Sequence, residues 1–228
     1  MARIFVISLH RCATQSTALF IGIAGIRALH WAAAVDGVDY QSKIIGAETD
    51  PARIVEILRP VLDGVEALAD VPLPAIYQEL DASYPNAKFI AVRRDPLAWL
   101  RSVRRHCASR ALDPYECAQY WRYLPDRPPT LDGVTDAALV QMFQRHYQEV
   151  ASHFEGRDKL LLVDLADPDI GRKLASFLNV LPARFPHVDG RGEQIRPGDS
   201  FHRQGRGLRH TISVNIGPIG NFGSDHDA

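Results

Sequence analysis

Short apolar runs and amphipathic stretches alternate along this chain. "RIFVISL" (3–9) is brief and rich in β-branched residues, which predicts a buried strand. Residues 16–31 are apolar on most sides and predict a well-buried helix. "PARIVEILRPVLDGVEALAD" (51–70) has helical spacing, with Pro60 expected to kink or divide it. Residues 74–84 predict a short helix stopped by Pro85. "AKFIAVR" (87–93) reads as a second strand. Asp95 and Pro96 then open a helix through Val103, because Asp caps well and Pro suits the first helical position. Helices are expected over 113–124 and 136–154, around the proline-rich loop 125–133. "KLLLVDL" (159–165) is a third strand, and 169–180 a last helix.

Strands separated by helices argue for a parallel sheet covered on both faces, a three-layer α/β/α fold of the α/β class. The 228 residues suffice for one substantial core. The expected α/β domain is 1–190, with no internal repeat. From 191 to 228 the chain becomes Gly- and Arg-rich, and reads as a segment covering a ligand or as a loose tail.

Composition changes this picture little. It is 46% hydrophobic and 23% charged, ordinary for a soluble globular protein. A formal net charge of −1 gives no bulk attraction to nucleic acid or membrane, so any anion site must be local. Three cysteines without a pairing pattern do not form a disulfide framework, and no stretch approaches membrane-spanning length. Cytoplasm is the expected location.

The chemistry gathers at two strand ends, where parallel sheets bind ligands. After the first strand comes "HRCATQST": Arg11 offers a planar donor fork, Thr14, Ser16 and Thr17 offer hydroxyls, and a helix N-terminus follows. The loop has neither the glycines nor the lysine of the nucleotide-hydrolase signature. On its own it reads equally as a plain turn or as an anion cradle. The second site is "VRRDPLAWLRSVRR" (92–105). Alternation sends Arg93 and Arg94 to opposite faces, so one of them points into a given site, and Ser102 lies about two turns beyond Arg94. Two such sites suit a ligand with two separated phosphate-like groups. No metal-spaced His/Cys cluster is evident, and no metal is expected.

At these residues the chain resembles the sulfotransferases that use 3'-phosphoadenosine 5'-phosphosulfate (PAPS), most of all their compact branch. The likeness rests on "SLHRCATQS" (8–16), "KFIAVRRDPLAWLRS" (88–102) and "LLLVDLADPDIGRKLASFLNVLPARFPHVD" (160–189). It implies a fold like that of P-loop nucleotide hydrolases. It further implies transfer of a sulfuryl group from PAPS to a small-molecule or glycan hydroxyl or amine, releasing 3'-phosphoadenosine 5'-phosphate (PAP). Arg11, Cys12, Ala13, Thr14, Gln15 and Ser16 would be the 5'-phosphosulfate loop, and Arg94 with Ser102 would hold the 3'-phosphate. Family glycines are replaced by Ser8, His10 and Ala13, and a family threonine by Gln15. A left-handed backbone at Ala13 would be strained, and an imidazole at position 10 reads as packed or solvated rather than catalytic. Asp70 stands where cytosolic relatives carry a histidine and is the candidate base; Glu79 and Glu48 are weaker ones. In the tail, Arg203 and Gly205 match a segment that closes over the 3'-phosphate. Two alternatives stay open: a small-molecule kinase of P-loop fold, and a nucleotide-binding protein that has lost activity with its loop glycines.

Overall fold

The computed structural model describes residues 2–187 and the backbone of 200–204 and 207–211. Its elements are, in order, β1 (Ile4–Val6), α1 (Thr14–Ile23), β2 (Ala28–His30), β3 (Ala34–Val35), β4 (Val38–Asp39), α2 (Tyr40–Lys43), α3 (Pro51–Gly64), β5 (Ala67–Ala69), α4 (Leu73–Ser83), β6 (Lys88–Arg93), α5 (Pro96–Cys107), α6 (Pro114–Trp121), α7 (Asp136–His153), β7 (Leu160–Asp164), α8 (Ile170–Leu178), β8 (Ser200–Gln204) and β9 (Gly207–Thr211).

The main sheet has the order β7-β6-β1-β5-β2-β8-β9. Its first five strands are parallel; β8 pairs antiparallel with β2, and β9 with β8. Strand alternation divides the core in two. Phe5, Leu29, Leu68 and Phe89 face the side covered by α3, α4, α5 and α7, with Leu58, Ile76, Trp99 and Phe143 among the buried partners. Ile4, Val6, Ile90, Val92 and Val163 face α1 and α8 through Phe20, Ile21, Leu174 and Leu178. This is the expected three-layer α/β/α fold. Among the described residues, no helix is long and apolar enough to cross a membrane.

Sequence patterning placed the long elements and missed two strands of the parallel sheet, β2 and β5, as well as the short β3, β4, β8 and β9. The expected helix over 16–31 is α1 followed by β2, and the helix expected to run to residue 70 is α3 followed by β5. Both strands are three buried residues long and composed of Ala, Leu and His. Alanine and leucine favour helices, and a brief apolar run carries no period that separates the two states. Pro60 does not divide α3, which continues to Gly64. Local caps account for the well-placed boundaries. Asp95 Oδ1 accepts from Ala98 N at 2.7 Å ahead of Pro96, and Asp113 with Glu116 forms a capping box ahead of Pro114.

The strand order decides where a ligand fits. From β1 the chain moves to the β5–β2 side of the sheet, then returns past β1 to β6 and β7. Adjacent β1 and β6 are therefore followed by connections that depart in opposite directions. The crevice at their carboxyl ends is a topological switch point, the place where open α/β sheets bind ligands. The loop of Arg11 follows β1 and Arg94 follows β6.

Candidate functional site: a trough across five strand ends

A cavity of about 630 Å³ opens at those ends. Its lining follows the strand order: His30 at the end of β2 and Trp31 after it, Asp70 and Val71 after β5, loop residues after β1, Arg94 after β6, Leu165 after β7. At the ordinary spacing between strands, five ends span about 19 Å. Arg105, His106, Arg110, Asp113 and Glu116 form the wall contributed by α5, α6 and the turn between them.

The loop after β1 is short and held from three sides. Its glycine replacements have structural employment. Ser8 Oγ accepts from Val92 N at 2.8 Å and so continues the β1–β6 pairing with a side chain. The backbone of His10 donates to Gln119 Oε1 at 3.0 Å and accepts from Trp99 Nε1 at 3.1 Å. Its imidazole Nε2 is 2.6 Å from Tyr120 Oη. Of the two readings left open, packed or solvated, His10 is packed, and burial, against the pull of Glu116, pushes its pKa down to about 4.

Arg11 and Ala13 have φ of 66° and 57°, in the left-handed region. Trp31 and Asp70, with φ of 52° and 85°, share it and also line the cavity. Positive φ in side-chain-bearing residues gathers at functional sites, where the surroundings hold the strain. At Ala13 the strain is the one anticipated from the missing glycine. Ala13→Gly is therefore expected to stabilise the fold by roughly 1 kcal/mol. Urea midpoints of the two proteins read this; an unchanged or lower midpoint in the variant refutes it.

Helix α1 begins at Thr14, two residues earlier than expected, directly on the cavity. Its opening N–H groups at Thr14 and Gln15 have no carbonyl four residues back, and its positive dipole end faces the same space. Thr17 Oγ1 donates back to Ala13 O at 2.9 Å and steadies the turn.

The two candidate anion sites are joined. Arg94 Nη1 donates to Arg11 O at 3.0 Å, and Arg11 Nε donates to Ser102 Oγ at 3.2 Å. Arg94 Nε is buried and has no acceptor among the described residues. Arg93 points the other way and forms an exposed two-pronged pair with Asp164 at 2.8 and 3.1 Å, as alternation requires.

Opposite the loop, Asp70 Oδ2 lies 3.0 Å from His30 Nε2, and the same nitrogen lies 3.3 Å from Thr14 Oγ1. Burial alone would raise the Asp70 carboxyl; the charge and hydrogen bond of His30, with His10 behind, outweigh it and hold the group below the ordinary carboxylate value. Asp70 Oδ1 has no hydrogen-bond donor among the described residues. The chain leaves Asp70 through a cis Val71–Pro72 peptide.

The helical wall is a charge network around buried Glu116. Arg110 grips both its oxygens at 2.6 and 2.7 Å, and His10 and His106 approach at 3.5 and 3.6 Å. Burial opposes the charge on Glu116, but Arg110 and His106 hold its carboxyl well below the usual range. Burial and the neighbouring Glu116 charge push Asp113 up to about 6.

Of the residues singled out from sequence, Arg11, Ala13, Thr14, Gln15, Ser16, Asp70 and Arg94 line one cavity. Ser102 reaches it through Arg11. Cys12 does not line it: the turn sends its side chain into the core, where burial pushes the thiol up to about 12. Glu48 caps a turn through Gly46 N, and Glu79 sits on α4; neither lines the cavity. Arg203 lies on β8, beyond β2 and four strand positions from β6; Gly205 lies outside the described residues. Sequence reading missed His30, Trp31, Asp113 and Glu116. His30 and Trp31 were hidden in the supposed helix, and the capping-box spacing from Asp113 to Glu116 was the one local signal.

Residues 3–194 match the family model for the sulfotransferase domain. Among solved structures, a sulfotransferase from Alicyclobacillus acidocaldarius aligns over 86% of this chain and 87% of its own, at 16% identity and a TM-score of 0.49. A shikimate kinase from Bacteroides thetaiotaomicron aligns over 78% of this chain and 94% of its own, at 12% identity and a TM-score of 0.45. No curated protein sequence matches the chain.

Proposed function

The chain belongs to the sulfotransferase-domain family, and from that premise we propose that it transfers a sulfuryl group from PAPS to a hydroxyl or amine of a small-molecule or glycan acceptor. The observation that carries the donor assignment is the coupling of two anion sites across the β1–β6 crevice, through Arg94, Arg11 and Ser102. A donor with phosphate-like groups at both its 5' and 3' positions matches two such sites; a nucleoside triphosphate does not need the second.

When bound, PAPS supplies the sulfuryl group, whose bond to the 5'-phosphate oxygen breaks as the bond to the acceptor forms. Arg11 and the N-terminus of α1 hold the phosphosulfate oxygens and the charge that collects on the departing phosphate. Thr14 and Ser16 add hydroxyls at the same place. Arg94, with the acceptor-less Nε, and Ser102 hold the 3'-phosphate. Asp70 takes the acceptor's proton. Its depressed pKa keeps it ionised at neutral pH, and an acceptor hydroxyl becomes acidic as its oxygen bonds to sulfur. The acceptor then occupies the β5–β2 end of the trough, between Asp70, Trp31 and the α5–α6 wall. The loop holds no lysine, which weighs against a small-molecule kinase. Cys12, Cys107 and Cys117 are free buried thiols, which fits the reducing cytoplasm as the working compartment.

Asp70→Asn keeps size and hydrogen-bond capacity while removing the base. It is expected to slow sulfate release from PAPS by about 10²-fold or more and to leave PAP affinity nearly unchanged. Single-turnover kinetics beside calorimetric PAP titration separate the two effects. An unchanged rate removes Asp70 from the chemistry.

A further inference from the structure

We infer that His30 is a positioning residue for sulfuryl transfer, acting through Asp70 and Thr14; the inference rests on the donor reading above. The sheet register creates the contact. β2 and β5 are parallel neighbours with His30 opposite Ala69, so His30 stands beside the next residue, Asp70. The first residue of α1, Thr14, comes from the loop after β1, on the far side of β5.

One ring nitrogen serves both. Nε2 is 3.0 Å from Asp70 Oδ2 and 3.3 Å from Thr14 Oγ1. The carboxylate can only accept, so Nε2 is the donor and carries a proton. Nδ1 is buried and has no partner among the described residues, and the residue as a whole is 9% exposed. The ring therefore presents no available nitrogen to an acceptor in the trough. Its function is to fix two other groups. It holds the Asp70 carboxylate in one orientation on a backbone of φ 85°, and it ties that carboxylate to the hydroxyl in the donor loop. The distance between base and donor is thereby set by one rigid planar ring. A general base misplaced by about 1 Å costs on the order of 10²-fold in rate.

Single-turnover release of sulfate from PAPS to water tests this without an identified acceptor. In that reaction water gives its proton to Asp70, its oxygen bonds to sulfur, and PAP leaves. The proteins are wild type, His30→Ala, His30→Gln and His30→Asn, each also titrated with PAP by calorimetry. The amide nitrogen of Gln reaches the place of Nε2, whereas that of Asn reaches the place of Nδ1. His30→Ala and His30→Asn are expected to release sulfate about 10²-fold more slowly, with PAP affinity nearly unchanged, while His30→Gln recovers most of the rate. Three variants with equal rates, or rate losses matched by equal losses of PAP affinity, would overturn the role. Nitrogen NMR of the labelled imidazole gives a reading independent of turnover: a proton is expected on Nε2, and an Nε2 without one overturns the geometry. Wild-type protein blind to PAP would count against the donor assignment; intact PAP binding with a flat variant series counts against His30 alone.

Discussion

Arg94→Ala is expected to weaken PAP binding by roughly 30-fold or more while changing the affinity for adenosine 5'-phosphate far less. Arg94 carries this weight because nothing else in its surroundings competes for all of its donors. One amine is spent on Arg11 O at 3.0 Å, and Nε remains buried and without an acceptor. Truncation removes the cation that would meet a 3'-phosphate and also frees the Arg11 carbonyl, so a modest loss for the 5'-phosphate alone is part of the expectation. Lysine at this position supplies charge but cannot brace the loop and present a second donor in one plane, so Arg94→Lys should fall between. Arg93→Ala is the control. Arg93 is half-exposed, committed to Asp164 and turned to the other side of the strand, so its loss should leave PAP affinity nearly unchanged. Calorimetry with both nucleotides reads all three variants. Equal weakening of the two nucleotides by Arg94→Ala would show that it does not read the 3'-phosphate.

The second large effect concerns stability in acid. His146 is fully buried on α7 among the rings of Tyr77, Tyr123 and Tyr147. Its Nε2 is 3.0 Å from Ile7 O and so carries the proton, and Nδ1 accepts from Tyr123 Oη at 2.9 Å. Burial, aided by Arg122 and opposed by the bond to Ile7, pushes its pKa down to about 3, as burial pushes His10 to about 4. The unfolded chain binds a proton at each imidazole near the ordinary value of 6.5; the folded chain resists until far lower pH. Stability is therefore lost as pH falls below about 6.5, by about 2 kcal/mol for each ring between pH 7 and pH 5. Asp113, raised to about 6, works in the opposite sense as pH falls below about 6, the lower part of that window, and offsets part of the loss. In urea unfolding at the two pH values, His146→Gln is expected to remove about half of the histidine-linked difference, whatever its own stability at pH 7. A variant that keeps the full pH difference would mean that His146 takes up no proton on unfolding.

What was legible in the sequence was what local chemistry writes. The β6–α5 segment announced itself through an apolar strand, an Asp cap and a helix-starting proline, and all three are where they were expected. The pairing of Arg94 with the first loop followed from strand ends lying together in a parallel sheet. The candidate base was legible only by resemblance, and its environment was not: Asp70 was expected at the end of a helix and instead lies in the bend that follows a three-residue strand. His30 was hidden for the same reason. Its strand is too short to show a period of two, and its partners lie 40 residues downstream and 16 upstream in Asp70 and Thr14, brought together by sheet order alone. The missing loop glycines were the main objection to a phosphate cradle. In the fold they are accounted for residue by residue: Ser8 extends the sheet, His10 is packed by α5 and α6, and Ala13 bears the left-handed turn as strain. Cys12 shows the opposite limit, since its place in the loop suggested a ligand contact and the turn buries it.

The central claim is that the trough recognises a nucleotide by a 5' and a 3' anionic group together. Calorimetric titration of the wild-type protein with PAP, adenosine 5'-phosphate and ATP–Mg tests it most directly. The predicted result is PAP tightest, ahead of adenosine 5'-phosphate by at least about 2 kcal/mol, the worth of a well-held charge-assisted contact. Preference for ATP–Mg, or equal affinity for PAP and adenosine 5'-phosphate, would contradict it.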